Sequence, residues 1–133
     1  MDAQARGDHR RVGLTYIDGV VTGPRGDAVT LRFLIDTGAQ YSLLPNEVWR
    51  ALGLASTRTL AFNLADGTRI DRAVSECRIS VEGVDGHSPV ILGEPGDVAL
   101  LGVVTLENLG LVFNPFDRSL RPMTEAPLMR LTA

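Results

Sequence analysis

Along most of the chain the apolar residues fall at every second position, the period of a strand with one buried face. Val12, Leu14 and Tyr16 alternate, and Asp18-Gly19 then predicts a hairpin turn into Val20 and Val21. Val29, Leu31, Phe33 and Ile35 alternate again and stop at Asp36. Leu60, Phe62 and Leu64 lead up to Asp66-Gly67, a second hairpin signal, and Ile70, Val74, Ile79 and Val81 mark the return arm. Asp85-Gly86 predicts a third turn, leading into Val90, Ile91 and Leu92. A continuous apolar run covers Val98 to Leu101, and Leu111 to Phe113 and Leu120 are further short strand candidates.

Helical signals are few. Pro45 and Asn46 can open a helix through Glu47, Val48, Trp49 and Leu52, with Gly53 placed to close it. Thr105 to Leu109 reads as a second short helix, closed by Gly110. The expectation is an all-β domain with one or two short helices. The shared Leu-Gly-Leu of Leu52-Gly53-Leu54 and Leu109-Gly110-Leu111 suggests an internal duplication, each helix following an apolar run that ends near a glycine. In that comparison Gly102, preceded by Leu101, stands where the first half carries Asp36.

With 133 residues the chain has one domain's worth of sequence, enough to bury a core without disulfide or metal. Residues 1–11 are expected to form a flexible N-terminal segment, 12–122 the domain, and 123–133 a C-terminal arm that contacts a dimer partner. Aromatic residues are only 5% of the total, so aliphatic side chains must build the core. A net charge of −3 offers no footprint for nucleic acid or an anionic membrane surface. All 13 basic residues are arginine, which removes Schiff-base and P-loop lysine chemistry. The single cysteine, Cys77, sits in an alternating stretch and reads as a small half-buried side chain. His9 and His87 lack metal-ligand spacing, so neither metal nor cofactor is expected. Arg10-Arg11 is not followed by an apolar signal core, and no run is long enough to span a membrane; a cytoplasmic location is expected.

The chemistry concentrates at Phe33-Leu34-Ile35-Asp36-Thr37-Gly38-Ala39, where three apolar residues deliver an aspartate to a strand end just before a tight turn. An aspartate before glycine often does no more than cap its own turn. Here the surrounding pattern goes further. The FLIDTGA run, the Leu64-Ala65-Asp66-Gly67 hairpin, and Leu100-Leu101-Gly102 before a short helix together resemble a retropepsin-type aspartic protease, over about Val12 to Leu120. The small prokaryotic single-domain type is the variant most similar. That resemblance implies a half-barrel fold and an aspartic endopeptidase that needs no cofactor, with a peptide or protein substrate.

Aspartic proteases need two carboxylates sharing one proton, one as base toward a water and one as acid toward the scissile carbonyl. This chain carries one such motif, so the resemblance implies a homodimer with Asp36 of each subunit on the two-fold axis. It further implies that Thr37 bonds across that axis and that Gly38 offers its N–H to the carboxylate. Leu101 and Gly102 would pack against the active-site loop, Gly102 leaving room for it. Ala65, Asp66 and Gly67 would form the tip of a flap, a plain type I′ turn being the simpler reading of Asp66-Gly67. Ala39 offers no hydroxyl to the aspartate, which implies a pH optimum nearer neutral than that of stomach-type enzymes. A different class, a catalytically silent dimerisation or peptide-binding module on the same fold, shares every one of these features except activity.

Overall fold

The computed structural model describes residues 14–123; the segment expected over 1–11, and all of the expected C-terminal arm except Met123, lie outside them. In chain order the elements are β1 (Tyr16–Thr22), β2 (Ala28–Ile35), β3 (Ser42–Leu44), α1 (Asn46–Ala51), β4 (Arg58–Asn63), β5 (Arg69–Val81), β6 (Val84–Leu92), β7 (Leu100–Leu101), α2 (Val103–Asn108), β8 (Leu111–Asn114) and β9 (Ser119–Pro122).

Seven strands form one sheet in the order β1-β2-β7-β3-β6-β5-β4, and β1 also pairs with β5. That extra pairing, Val20 to Thr22 against Arg78 to Ser80, closes six strands into a ring and leaves β4 outside it. Each of those six strands thereby has a neighbour on both sides over part of its length. β5 is long enough to serve both parts: Arg69 to Val74 pairs with β4, while Val74 to Val81 pairs with β6. β8 and β9 form a separate two-stranded sheet.

The alternation read from the sequence is what fills the ring. Val21, Phe33, Leu44, Leu52, Ile79, Val90 and Leu101 are fully buried, and Ile35, Val48, Leu92, Leu106 and Leu111 join the same cluster. Losing a fully buried residue such as Phe33 costs about 3–5 kcal/mol in cores of this kind.

Two of the three expected Asp-Gly turns are not turns. Asp18 and Gly19 lie within β1, opposite Arg32 and Leu31, and the chain reverses at Gly23 to Asp27 instead. A Cβ on Gly19 would meet the Phe33 ring at 3.0 Å and Val81 at 3.1 Å, so this glycine makes room for the core. Asp85 and Gly86 lie within β6, and the β5–β6 turn is Glu82-Gly83. Both turn residues have positive φ, 53° and 78°, the signature of a two-residue type I′ hairpin. A Cβ on Gly86 would press on Leu109 at 3.3 Å, so Gly86 admits the end of α2.

Both helices end as expected. Gly53 and Gly110 adopt φ of +72° and +69°, and the leucines flanking each are buried. α2 starts two residues before its expected Thr105, with Gly102 as its N-terminal flanking residue. The duplication is visible in the pairing. β2 runs parallel to β7, β3 runs parallel to β6, and β3 meets β7 antiparallel. Asp36 N–H donates to Leu101 O at 3.0 Å and Gly93 N–H donates to Leu44 O at 2.8 Å, so the counterpart of Asp36 is Gly93 rather than Gly102. Gly102 follows β7 and opens α2, as Pro45 follows β3 and opens α1.

Candidate active site

β2 ends at Ile35 and hands Asp36 to an exposed loop. The Asp36 N–H is still tied to Leu101 O, so the residue leaves the strand in a defined direction. Phe33 and Ile35 point into the core, which by alternation sends Leu34 and Asp36 to the opposite, half-exposed face. Ala39 N–H donates to Asp36 O at 3.0 Å, closing a turn over Thr37 and Gly38. Within it, Gly38 N–H donates to Asp36 Oδ1 at 2.9 Å. A Cβ on Gly38 would lie 3.2 Å from that same oxygen. The carboxylate is thus held by the backbone of its own loop, and among the described residues Oδ2 accepts no hydrogen bond. Thr37 is exposed, and among the described residues its hydroxyl has no hydrogen-bond partner. It borders a shallow apolar depression of about 170 Å³ shared with α2 and β8.

Behind the loop, the start of α2 is clamped to it. Val103 N–H donates to Ala39 O at 3.0 Å and Val104 N–H to Gln40 O at 2.9 Å. The approach is close: a Cβ on Gly102 would sit 2.6 Å from both the carbonyl carbon and oxygen of Tyr41. Gly102 N–H donates to Ser42 Oγ at 2.9 Å. From there a line of buried hydroxyls runs Ser42, Thr105, Ser88, and ends at Pro89 O, 3.1 Å from Ser88 Oγ. Because Ser88 donates to that carbonyl, Thr105 donates to Ser88 and Ser42 to Thr105. Every hydroxyl then gives one hydrogen bond and receives one, which burial demands. None of these three residues stood out in the sequence, where the usable signal was a hydroxyl inside an otherwise apolar run.

The hairpin at Ala65, Asp66 and Gly67 is solvent-exposed and is not type I′. Leu64 N–H donates to Thr68 O at 2.7 Å, Gly67 N–H to Leu64 O at 2.9 Å, and Gly67 has φ +89°. This is the three-residue loop in which a type I turn is followed by a left-handed glycine. Asp66 keeps a negative φ, which type I′ forbids. Hydrogen bonds from the Thr68 hydroxyl and then its N–H hold the Asp66 carboxyl below its usual range, so its charge is committed to the turn. Two contacts tie the hairpin arms to the site. The Phe62 ring meets Tyr41 edge-on with centroids 5.9 Å apart. Arg72 pairs with Asp97 at 3.2 Å, and Asp97 also accepts Glu94 N–H at 2.7 Å, fixing the loop before β7. The sequence reading named neither pair.

The family model described as "gag-polyprotein putative aspartyl protease" matches residues 8–108. The chain belongs to this aspartyl protease family. Among solved structures it is similar to a retropepsin-like aspartic protease from Rickettsia conorii, at 23% identity and TM-score 0.54, over 78% of each chain. It is similar to the EIAV protease, solved with the inhibitor HBY-793, at 18% identity and TM-score 0.54, over 83% of this chain and 93% of that one. It is also similar to the simian foamy virus (mac) protease, at 16% identity and TM-score 0.51, over 70% and 92% respectively. No match emerges among curated proteins. The fold of this aspartyl protease family member is retropepsin-like and mostly β, with two short helices among the described residues. Among its described residues no group of three potential metal ligands converges, and no helix is long and apolar enough to cross a membrane. His87 is exposed within β6 and Cys77 is buried.

Proposed function

We propose that this chain is an aspartic endopeptidase that works as a homodimer, with Asp36 of each subunit forming the dyad. The observation that carries the reading is the state of the Asp36 loop. Its carboxylate is oriented by Gly38 N–H, its Thr37 hydroxyl is exposed, and its internal counterpart is Gly93, which has no side chain to supply a second carboxylate. The counterpart loop carries two acidic residues, Glu94 and Asp97; Asp97 is paired with Arg72 and accepts the Glu94 N–H. The second carboxylate therefore comes from a second copy.

Two carboxylates about 3 Å apart cannot both ionise, so the pair shares a proton. The charged member takes a proton from a water as it attacks the scissile carbonyl. The protonated member donates to the carbonyl oxygen and later assists the leaving amine. Gly38 N–H keeps Asp36 aimed throughout, while Thr37 bonds across the axis and Leu101 and Gly102 back the loop. Ala65, Asp66 and Gly67 cover an extended substrate whose backbone pairs with the cleft.

The test is cleavage of a mixed peptide library by the full chain and by Asp36→Asn, read by mass spectrometry, with sedimentation under the same conditions. Acid–base catalysis of this kind predicts a loss of about 10²–10⁴-fold in the variant. Equal cleavage by both proteins, or an active monomer, overturns the assignment. A dimer that binds peptides without cutting them indicates a silent module.

A further inference from the structure

The mechanism above leaves unused a set of side chains on the same outer face as Asp36. Along β2, Arg32 and Leu34 alternate with buried Phe33 and Ile35 and so share the face from which Asp36 emerges. Tyr16 lies opposite Leu34 in the antiparallel register, and so on that face too. Leu34 N–H donates to Ala99 O at 3.0 Å, bringing the loop before β7 alongside. Tyr16, Arg32, Leu34, Val98 and Ala99 together line a depression of about 230 Å³.

The composition of this depression is uneven. Leu34, Ala99 and Val98 are apolar, and Val98 is 62% exposed. At the rim the Arg32 guanidinium lies over the Tyr16 ring, its carbon 4.8 Å from the ring centre. That contact holds the side chain in place, and a guanidinium carries five N–H donors, more than one ring contact occupies. Among the described residues Arg32 closes no ion pair, although all five ion pairs recorded there use other arginines. Asp18, opposite Arg32 in the register, and Glu82 share a separate depression with it without pairing. An apolar wall ending in a preorganised donor fork suits an aliphatic stem that carries a carboxylate.

The geometry points to this depression as a substrate subsite that selects an acidic side chain, glutamate above all, with Arg32 as the specificity-determining residue. Leu34 lies two strand positions from Asp36, about 7 Å, which is the spacing of two side chains on one face of an extended peptide. The selected side chain is therefore within about two residues of the scissile bond. This inference rests on the protease reading, and its test separates the two.

The probe is a set of acetylated octapeptides carrying Glu, Gln or Lys at each position in turn. Binding is measured by fluorescence polarisation to Asp36→Asn, which does not turn substrate over, at low salt where charge pairing is unscreened. The same set is offered to the active chain for cleavage. One position should prefer Glu over Gln by about 10-fold, within the range for a hydrogen bond to a charged group. Adding Arg32→Gln should reduce the preference to within about 2-fold, and Arg32→Glu should turn it toward Lys. Arg32 is exposed, so both substitutions leave the core intact. No Glu preference at any position, or one indifferent to both substitutions, overturns the subsite. Cleavage that is indifferent to Arg32 sinks the subsite and leaves the protease reading standing. Arg32-dependent binding without any cleavage does the reverse.

Discussion

Substituting Gly102 by alanine isolates the closeness of the active-site loop from every other role a glycine plays. Gly102 has φ −99° and ψ 176°, extended backbone open to any residue, so alanine brings no conformational strain. What it brings is a methyl group 2.6 Å from two backbone atoms of Tyr41 and 3.0 Å from Ala39 O. Carbon contacts settle near 3.5–4.0 Å, so the loop must retreat by about 1 Å. The Val103–Ala39 and Val104–Gln40 hydrogen bonds, now 3.0 and 2.9 Å, would stretch toward 4 Å, and so would the bond from Gly102 N–H to Ser42. Overpacking costs about 1–3 kcal/mol, and loosening buried hydrogen bonds adds about 1–2 kcal/mol. A total of about 2–5 kcal/mol is a large part of a domain's usual stability. The assay is urea unfolding at fixed protein concentration, followed by the single tryptophan, Trp49, whose indole N–H donates to Gly93 O at 2.8 Å. Gly110→Ala is the control: φ is +69° with nothing within 4 Å of the added Cβ, so it carries only the backbone penalty of about 1–2 kcal/mol. A Gly102→Ala protein as stable as wild type, or less damaged than Gly110→Ala, would refute the packing argument.

Ala39→Ser should shift the pH profile of cleavage toward acid, because a hydroxyl there can donate to the ionised aspartate; a profile that stays in place counts against the assignment of this loop. The Cys77 thiol is pushed from 9.0 up to about 12, first by burial and then by the neighbouring Glu76 charge. The folded state therefore favours the protonated thiol. Its contribution to stability is complete at every pH below about 9 and is lost as pH rises from 9 toward 12, so it adds no pH dependence on the acid side. At pH 8 a disulfide reagent should label Cys77 only as fast as the protein unfolds, and rapid labelling of the native protein would contradict that burial.

The elements most legible in the sequence were those with a long alternating pattern or a closing glycine: β2, the β4–β5 hairpin, α1 and the end of α2. Asp-Gly pairs were the weakest guide. Asp66-Gly67 does turn the chain, but Gly19 and Gly86 are glycines because the Phe33 ring and Leu109 need the space a side chain would take. A single sequence does not separate a glycine required for its φ from one required for its missing Cβ. The Asp36 motif was visible because its chemistry is local, one aspartate and the next three residues. Ser42, Thr105 and Ser88 were not, because their hydroxyls meet only after residues 17 and 63 positions apart are brought together. Gly93 was missed for a related reason, since its correspondence to Asp36 is a matter of strand pairing and not of shared letters.

β5 belongs to two mechanical bodies at once. From Val74 to Val81 it is part of the closed ring, and between Arg78 and Ser80 it has neighbours on both sides. From Arg69 to Ala73 it is paired on one side only, with β4, beyond the ring. Native-state hydrogen exchange should therefore divide this one strand. Amides in its second half should open only with global unfolding, while those in its first half exchange through a smaller, local opening. The boundary lies at Val74 and Ser75, both buried. Whatever motion the hairpin makes pivots at a rigid, hydrogen-bonded point in the middle of a strand, so substitutions at the turn would alter the tip while those at Val74 would reset the angle of the whole arm.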